Sequence, residues 1–162
     1  MSTQPRPIFI YGTMCALPLL SWVLTGDASN VDSVSALVRQ ARVSGYSRFS
    51  LHNRDYPAAV KQDNISSSID GYLLTPQTAS QRRKLDDFEG EAYTPTLVTV
   101  TILDSNGEPS GETVDADMYV WNGDMEAVSS EPWDLDAFIR ERLADWIDLF
   151  EGMELVGGDQ DQ

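Results

Sequence analysis

The strongest fold signal in this chain lies in residues 8–14, IFIYGTM. The first four residues form an unbroken apolar run, which is typical of a strand buried on both faces. Gly12 ends the strand, and Thr13 begins a turn towards a helix predicted over residues 18–24 and closed by Gly26. A turn of this kind presents backbone N–H groups in a cup that can hold a carboxylate or an oxyanion. A plain strand-to-helix turn would show the same pattern.

Further strands are predicted wherever apolar alternation is bounded by turn residues. They cover residues 43–51, 57–60, 69–74, 93–103 and 113–121. The last two are separated by Asn106-Gly107, which is the strongest short signal for a β-hairpin. Residues 34–38 fit both a helical and an extended pattern, so the sequence leaves them unassigned.

Two further helices are predicted. Thr75 is a suitable N-cap, and Pro76 a suitable first residue, for a helix that runs to Glu89 with Gly90 just beyond its end. The apolar stripe in residues 133–150 predicts one last helix. With five or six strands and three helices in this order, the chain is expected to adopt an α+β fold.

The composition is that of an ordinary globular domain with strong acidity. The chain has 162 residues, of which 41% are hydrophobic and 23% are charged, so one domain is expected. Asp and Glu number 26 against 11 Lys and Arg. Nucleic acid and anionic membranes are therefore excluded as partners, because both require a basic surface. Cys15 is the single cysteine, and residues 1–7 lack the apolar segment of a signal peptide, so a reducing, cytoplasmic location is expected.

The segment LDDFEG at residues 85–90 places acidic residues where a helix end usually has basic ones. Asp86, Asp87 and Glu89 crowd the C-terminal end of the predicted helix, where the helix dipole disfavours each negative charge by about 0.3–1 kcal/mol. The dipole, the neighbouring carboxylates and any burial would raise the pKa of Glu89, which would suit general acid/base work near neutral pH. A solvated acidic surface is the alternative interpretation.

Other residues that could carry chemistry are few. Residues 45–58 alternate aromatic and arginine side chains, which could line a small-molecule site or simply pack as a strand. Cys15 follows the Gly-Thr turn and could be a nucleophile or a buried structural thiol. His52 is the single histidine. A histidine-rich metal site is therefore excluded, and any histidine-dependent triad would have to use that residue.

Five segments together resemble the γ-glutamylcyclotransferase-like superfamily, and within it the AIG2-like branch. They are FIYGTM at 9–14, GYSRFSLHNRDYPAAV at 45–60, LDDFEGEAY at 85–93, MYVWNG at 118–123 and WDLDAFIRE at 133–141. The resemblance implies a domain over residues 7–150, built as a small mixed β-barrel flanked by helices. Residues 151–162 would then form an acidic flexible tail. The resemblance also implies a reaction that needs no metal and no cofactor.

The family's reaction, as the resemblance implies it, is an intramolecular aminolysis. The free α-amine of a γ-glutamyl or similar group attacks the side-chain amide, 5-oxoproline closes, and the amine leaves. Glu89 matches the family's catalytic glutamate, which would take a proton from the attacking amine and return one to the leaving nitrogen. The substrate contacts that the resemblance implies are Tyr11, Gly12, Thr13, Met14, Tyr56 and Tyr93.

One departure from the family pattern leaves the substrate open. An arginine pair often follows the tyrosine that corresponds to Tyr93, whereas this chain has TPT at residues 94–96. Three hypotheses therefore stand. The chain is a γ-glutamyl cyclotransferase, or an enzyme that uses Glu89 as acid/base on a small carbonyl compound (a lyase, cyclase or hydrolase), or a non-catalytic ligand-binding or interaction domain. The expected partner is a small-molecule substrate, and the sequence leaves the oligomeric state open.

Overall fold

A closed five-stranded barrel forms the centre of the molecule. The structure is a computed structural model that describes residues 6–62, 66–89 and 93–151. The barrel strands are β1 (Ile8–Ile10), β2 (Val38–Ser44), β5 (Ser68–Leu74), β6 (Tyr93–Leu103) and β7 (Pro109–Trp121). They follow the order β1-β5-β2-β6-β7 around the barrel. Because β1 is antiparallel to β5 and parallel to β7, the barrel is mixed, and the predicted fold class is confirmed.

A three-stranded sheet and five α-helices accompany the barrel within the described ranges. The sheet has the order β4-β3-β8 and contains β3 (Tyr46–Leu51), β4 (Pro57–Lys61) and β8 (Val128–Pro132). The helices are α1 (Leu17–Thr25), α2 (Val31–Ser35), α3 (Ala79–Glu89), α4 (Leu135–Glu141) and α5 (Leu143–Glu151). The predicted tally of five or six strands and three helices was wrong. The strand predicted over residues 43–51 and the helix predicted over residues 133–150 are each divided in two. The sequences of α2 and β8 show no clear helical or strand periodicity.

The predicted strand over residues 43–51 is divided at Gly45. This glycine has a φ of +86°, which residues that carry a side chain rarely adopt. Its N–H donates to the Ser67 carbonyl (2.7 Å), and its carbonyl accepts from the Gln62 N–H (2.8 Å). The chain leaves the barrel at this point, and β3 pairs with β4 and β8 instead. The unassigned residues 34–38 are shared between the end of α2 and the start of β2.

The helix predicted from Thr75 begins later, at Ala79. The Thr75 N–H donates to the Leu37 carbonyl (3.0 Å), which ties this segment to the chain before β2. The helix starts instead after Thr78, whose hydroxyl accepts a hydrogen bond from the Gln81 N–H (3.1 Å). A hydroxyl that accepts from the third residue beyond it is the first half of a capping box.

The single helix predicted over residues 133–150 is two helices, α4 and α5, which meet at Arg142. This residue departs from helical geometry, with φ −126° and ψ −25°. Its guanidinium donates from Nε to Asp55 Oδ2 and from Nη1 to Asp145 Oδ2, both over 2.9 Å. Asp134 caps the start of α4 by accepting from the Asp136 N–H (3.0 Å). The apolar stripe continues across the break, so periodicity alone could not reveal it.

The packing between β1 and β5 sets the position of the first strand. Ile8 and Phe9 are fully buried, as their apolar run predicted. Gly71 on β5 lies so close to β1 that an added Cβ would be 2.2 Å from the Ile10 carbonyl oxygen. Because the two backbones approach this closely, a side chain at position 71 would displace the carbonyl of Ile10, the last residue of β1.

Candidate active site

A pocket lies where β1 runs out of the barrel into a 3₁₀ turn, Thr13–Cys15. Its described walls come from the end of β1, the 3₁₀ turn, the start of β4, the start of β6 and the C-terminal part of β7. The lining residues are Phe9, Ile10, Tyr11, Gly12, Thr13, Met14, Tyr56, Pro57, Tyr93 and Tyr119. The space open to the centre of a water molecule measures about 20 Å³, which is enough for about one water molecule.

The 3₁₀ turn carries the backbone amides that the sequence predicted as a cup. Cys15 N–H donates to the Gly12 carbonyl (2.9 Å), and Ala16 N–H donates to the Thr13 carbonyl (3.0 Å). These two bonds close the turn with amides that come after Met14. The amides of Gly12, Thr13 and Met14 stand at the start of the turn, where a helix does not use its own N–H groups. Their use as an anion cup stays a prediction.

Gly12 itself is held against the opposite wall. An added Cβ would lie 3.0 Å from Pro57 Cδ and 3.1 Å from its Cγ. Pro57 is buried at the start of β4, so its ring has little room to withdraw. The absence of a side chain at Gly12 is what lets the turn and β4 approach each other.

Two tyrosine hydroxyls tie the pocket walls together. Tyr11 Oη donates to the Tyr119 carbonyl, and Tyr93 Oη donates to the Pro57 carbonyl over 2.6 Å. The first bond ties the segment after β1 to β7, and the second ties the start of β6 to the start of β4. The rings of Tyr56 and Tyr93 lie beside each other, with centroids 6.4 Å apart.

Arg48 and Cys15 support the turn from behind. Arg48 Nη1 donates to the Tyr11 carbonyl (2.8 Å), and its guanidinium lies 5.4 Å from the centroid of the Trp133 ring. Burial lowers the pKa of Arg48, because desolvation disfavours its charge. Cys15 is buried, and its Sγ donates to the Ile10 carbonyl (3.3 Å). This placement favours the structural interpretation of the thiol over the nucleophilic one.

The C-terminal helices are anchored beside Tyr56. Trp146 Nε1 donates to Asp55 Oδ2 (2.8 Å), and Trp133 Nε1 donates to the Asp55 carbonyl (2.8 Å). The Trp146 ring meets the Tyr56 ring edge-on, with centroids 6.3 Å apart. Asp55 thus connects α5 and the segment before α4 to the wall of the pocket. The sequence had suggested residues 45–58 as a possible site lining, and of these Tyr56 and Pro57 line the pocket.

Glu89, the predicted catalytic residue, is the last residue of α3. The placement of its side chain lies outside the described part of the structure, as do Gly90 and the two residues after it. Leu85, one turn earlier, is fully buried in the core that also contains Tyr93 and Tyr119. The C-terminal part of α3 is therefore packed on the same core as two walls of the pocket, and the role of Glu89 stays a prediction.

The structure brings six of the seven predicted site residues to one pocket, but their binding roles stay predictions. Those six are Tyr11, Gly12, Thr13, Met14, Tyr56 and Tyr93. Sequence reasoning missed Phe9, Ile10 and Tyr119 as lining residues, and it missed the contact of Asp86 with Tyr119 (2.5 Å). The signal available for Tyr119 was its place in the MYVWNG segment. The alternation of that segment predicts a strand, but it does not show which part of the molecule the Tyr119 side chain contacts.

Comparison with known proteins agrees with the fold. The fold is that of a small mixed-barrel domain with a pocket at the end of the first strand. The family described as gamma-glutamyl cyclotransferase, AIG2-like, matches residues 8–135. The chain belongs to that family, and the resemblance drawn from the sequence is confirmed.

Individual relatives are distant. Protein AIG2 C of Arabidopsis thaliana is 25% identical over 151 residues, which cover 93% of this chain and 82% of the relative. An Arabidopsis thaliana protein solved in solution superposes with a TM-score of 0.58 at 21% identity, covering 99% of this chain and 88% of the other. An AIG2-like protein of Mus musculus superposes with a TM-score of 0.50 at 17% identity, covering 82% and 88%. At these identities the two structures show a common fold alone.

Two negative findings concern the described residues only. No group of three or more His, Cys, Asp or Glu side chains is placed there to hold a metal ion. None of the described helices is both long enough and apolar enough to cross a membrane.

Proposed function

We propose that this protein is a cyclotransferase that releases 5-oxoproline from a γ-glutamyl amine or peptide. The observation that carries the proposal is the convergence of three distant segments, residues 11–14, 56–57 and 93, on one pocket at the end of β1. These are the segments that the family resemblance names. The family membership of the chain supports the same reaction.

The reaction that we propose exchanges one amide bond for another. The substrate's α-amine gives up a proton and attacks the γ-carbonyl carbon, so that a new C–N bond closes the five-membered lactam. The old C–N bond breaks, and the leaving nitrogen takes a proton. Glu89 is proposed to accept the first proton and to deliver the second. No electrons are gained or lost, so the reaction requires no oxidant or reductant.

The pocket supplies two kinds of group for this chemistry. The turn amides of Gly12, Thr13 and Met14 would hold the substrate carboxylate or the oxygen of the tetrahedral intermediate. The side chains of Tyr11 and Tyr93 would form walls around the substrate. Ring closure depends mainly on folding the substrate onto itself, and a narrow pocket favours that through orientation.

The test is a product assay on a panel of γ-glutamyl amines, γ-glutamyl dipeptides and γ-glutamyl-ε-lysine, with 5-oxoproline measured by mass spectrometry. Glu89→Gln removes the proposed base with little change in volume. Asp87→Asn is the matched control, because Asp87 is an exposed acid on the same helical turn. We expect release by the wild type and by Asp87→Asn, and a loss of at least about a hundredfold in Glu89→Gln. Folded wild-type protein that releases 5-oxoproline from no member of the panel would overturn the proposal.

A second candidate is favoured by one specific observation. None of the described lining residues of the pocket carries a formal charge, whereas a γ-glutamyl group brings an ammonium and a carboxylate. The TPT sequence at residues 94–96 also lacks the cations that often follow in the family. An enzyme that uses Glu89 as acid/base on a small uncharged carbonyl compound would fit such walls. Turnover of carbonyl metabolites that depends on Glu89, without 5-oxoproline release, would favour this candidate.

A further inference from the structure

A hydrogen-bonded connection joins the pocket wall to the end of α3. Tyr119 lies on β7, is 3% exposed, and lines the pocket. Its carbonyl accepts from the Tyr11 hydroxyl, while its own hydroxyl donates to Asp86 Oδ1 over 2.5 Å. A buried tyrosine requires a partner for its hydroxyl, and here that partner comes from α3. Tyr119 thus links the turn side of the pocket to a helix.

Asp86 is itself anchored to the barrel through Arg82. Asp86 Oδ1 accepts from Arg82 Nε over 3.1 Å, and Arg82 Nη2 lies 2.9 Å from Asp117 Oδ2. Asp117 is 7% exposed on β7, the strand that also carries Tyr119. The pKa of Arg82 is raised, because its hydrogen bonds to the two aspartates outweigh the desolvation that would lower it. Two points of one strand therefore hold one face of α3.

Asp86, which these bonds hold, lies three residues before Glu89, the proposed general base. Residues three apart on an α-helix are neighbours on one face. Asp86 is placed near the C-terminal end of the helix, where the dipole disfavours its charge. The bonds from Tyr119 and Arg82 offset that cost at Asp86.

We propose that Asp86 is a positioning residue. Its bond to the Tyr119 hydroxyl fixes the last turn of α3 against the pocket wall, and this sets where Glu89 meets the substrate. The inference rests on the proposed cyclotransferase function for its kinetic consequences. The structural part of the inference, that this bond holds the last turn of α3, can be measured without any activity.

The kinetic test is a double-mutant cycle of Asp86→Ala and Tyr119→Phe on the best substrate of the panel. We expect each single variant to lower kcat by about tenfold with KM changed less than twofold, since a hydrogen bond to a charged group is lost. The double variant should be no worse than either single one, because all three lack the same bond. Asp86→Asn keeps an acceptor oxygen and should recover most of kcat. Glu112→Ala breaks an exposed ion pair with Arg39 on the barrel and should match the wild type.

The structural test is amide hydrogen exchange of the same variants, followed by mass spectrometry. Peptides that contain the last turn of α3 should exchange at least about tenfold faster in Asp86→Ala and in Tyr119→Phe, while peptides from β6 should be unchanged. Additive losses of kcat, or unchanged exchange at the end of α3, would overturn the positioning role. If the wild type acts on no substrate while exchange responds as expected, the proposed function fails and the structural anchor stands.

Discussion

Replacing Gly71 by alanine tests the close approach of β1 and β5 that positions the pocket. An alanine Cβ at this place would lie 2.2 Å from the Ile10 carbonyl oxygen and 3.1 Å from Phe9 Cζ. The carbonyl would have to withdraw by about 0.8 Å to reach 3.0 Å, below which Cβ atoms are essentially never found. Ile10 is buried, and its carbonyl is the acceptor for Cys15 Sγ. The displacement would therefore reach the turn that lines the pocket.

The expected cost is about 2–3 kcal/mol of unfolding free energy, the upper part of the range for overpacking a core. With an m-value of about 2 kcal/mol/M, the urea midpoint should fall by about 1–1.5 M. Urea unfolding followed by tryptophan fluorescence measures this. Gly45→Ala is the control, since Gly45 has a φ of +86° and nothing within 4 Å of its added Cβ. That variant should lose only about 1 kcal/mol, from backbone strain. Surface substitutions usually change the free energy of unfolding by no more than about 0.5 kcal/mol. A change of that size in Gly71→Ala would refute the packing argument.

Two further changes have definite expected outcomes. Gly12→Ala would place a Cβ 3.0 Å from the buried Pro57 ring. We therefore expect 5-oxoproline release to fall by about tenfold, with a loss of about 1 kcal/mol of unfolding free energy. Activity within twofold of the wild type would contradict this. Burial raises the pKa of Tyr72 above its ordinary value of 10.0. Because the folded protein then holds that proton more tightly than the unfolded chain, stability falls as the pH rises through about 10. Tyr72→Phe should flatten this part of a stability curve measured by urea unfolding, and an unchanged slope would show that Tyr72 does not contribute.

Local chemistry explains which elements could be predicted. The apolar run before Gly12 is buried as β1, and the Asn106-Gly107 hairpin joins β6 to β7 with the predicted pairing. Gly26 takes the left-handed conformation, with a φ of +80°, at the end of α1. Each of these depends on residues close together in the chain, so a short stretch of sequence is enough.

The wrong boundaries have causes far away in the chain. The break at Gly45 follows from the separate partners of β2 and β3, and the interrupted C-terminal helix places Arg142 against Asp55. The late start of α3 goes with the bond between Thr75 and Leu37. Periodicity shows which face of a single helix or strand is apolar. The boundaries of β2, β3, α3, α4 and α5 depend instead on which other segment each of them contacts.

The sequence by itself determined the class of fold, the buried first strand, the glycine turn and, through the family segments, six residues that meet at one pocket. Only the tertiary structure decided that Tyr119 faces that pocket, that its hydroxyl reaches Asp86, and that Gly71 must lack a side chain. The physical reason is that strand register and backbone approach are set by contacts across the barrel. Asp86 and Tyr119 are 33 positions apart, and Tyr11 and Tyr119 are 108 positions apart, so no local pattern could have indicated either contact.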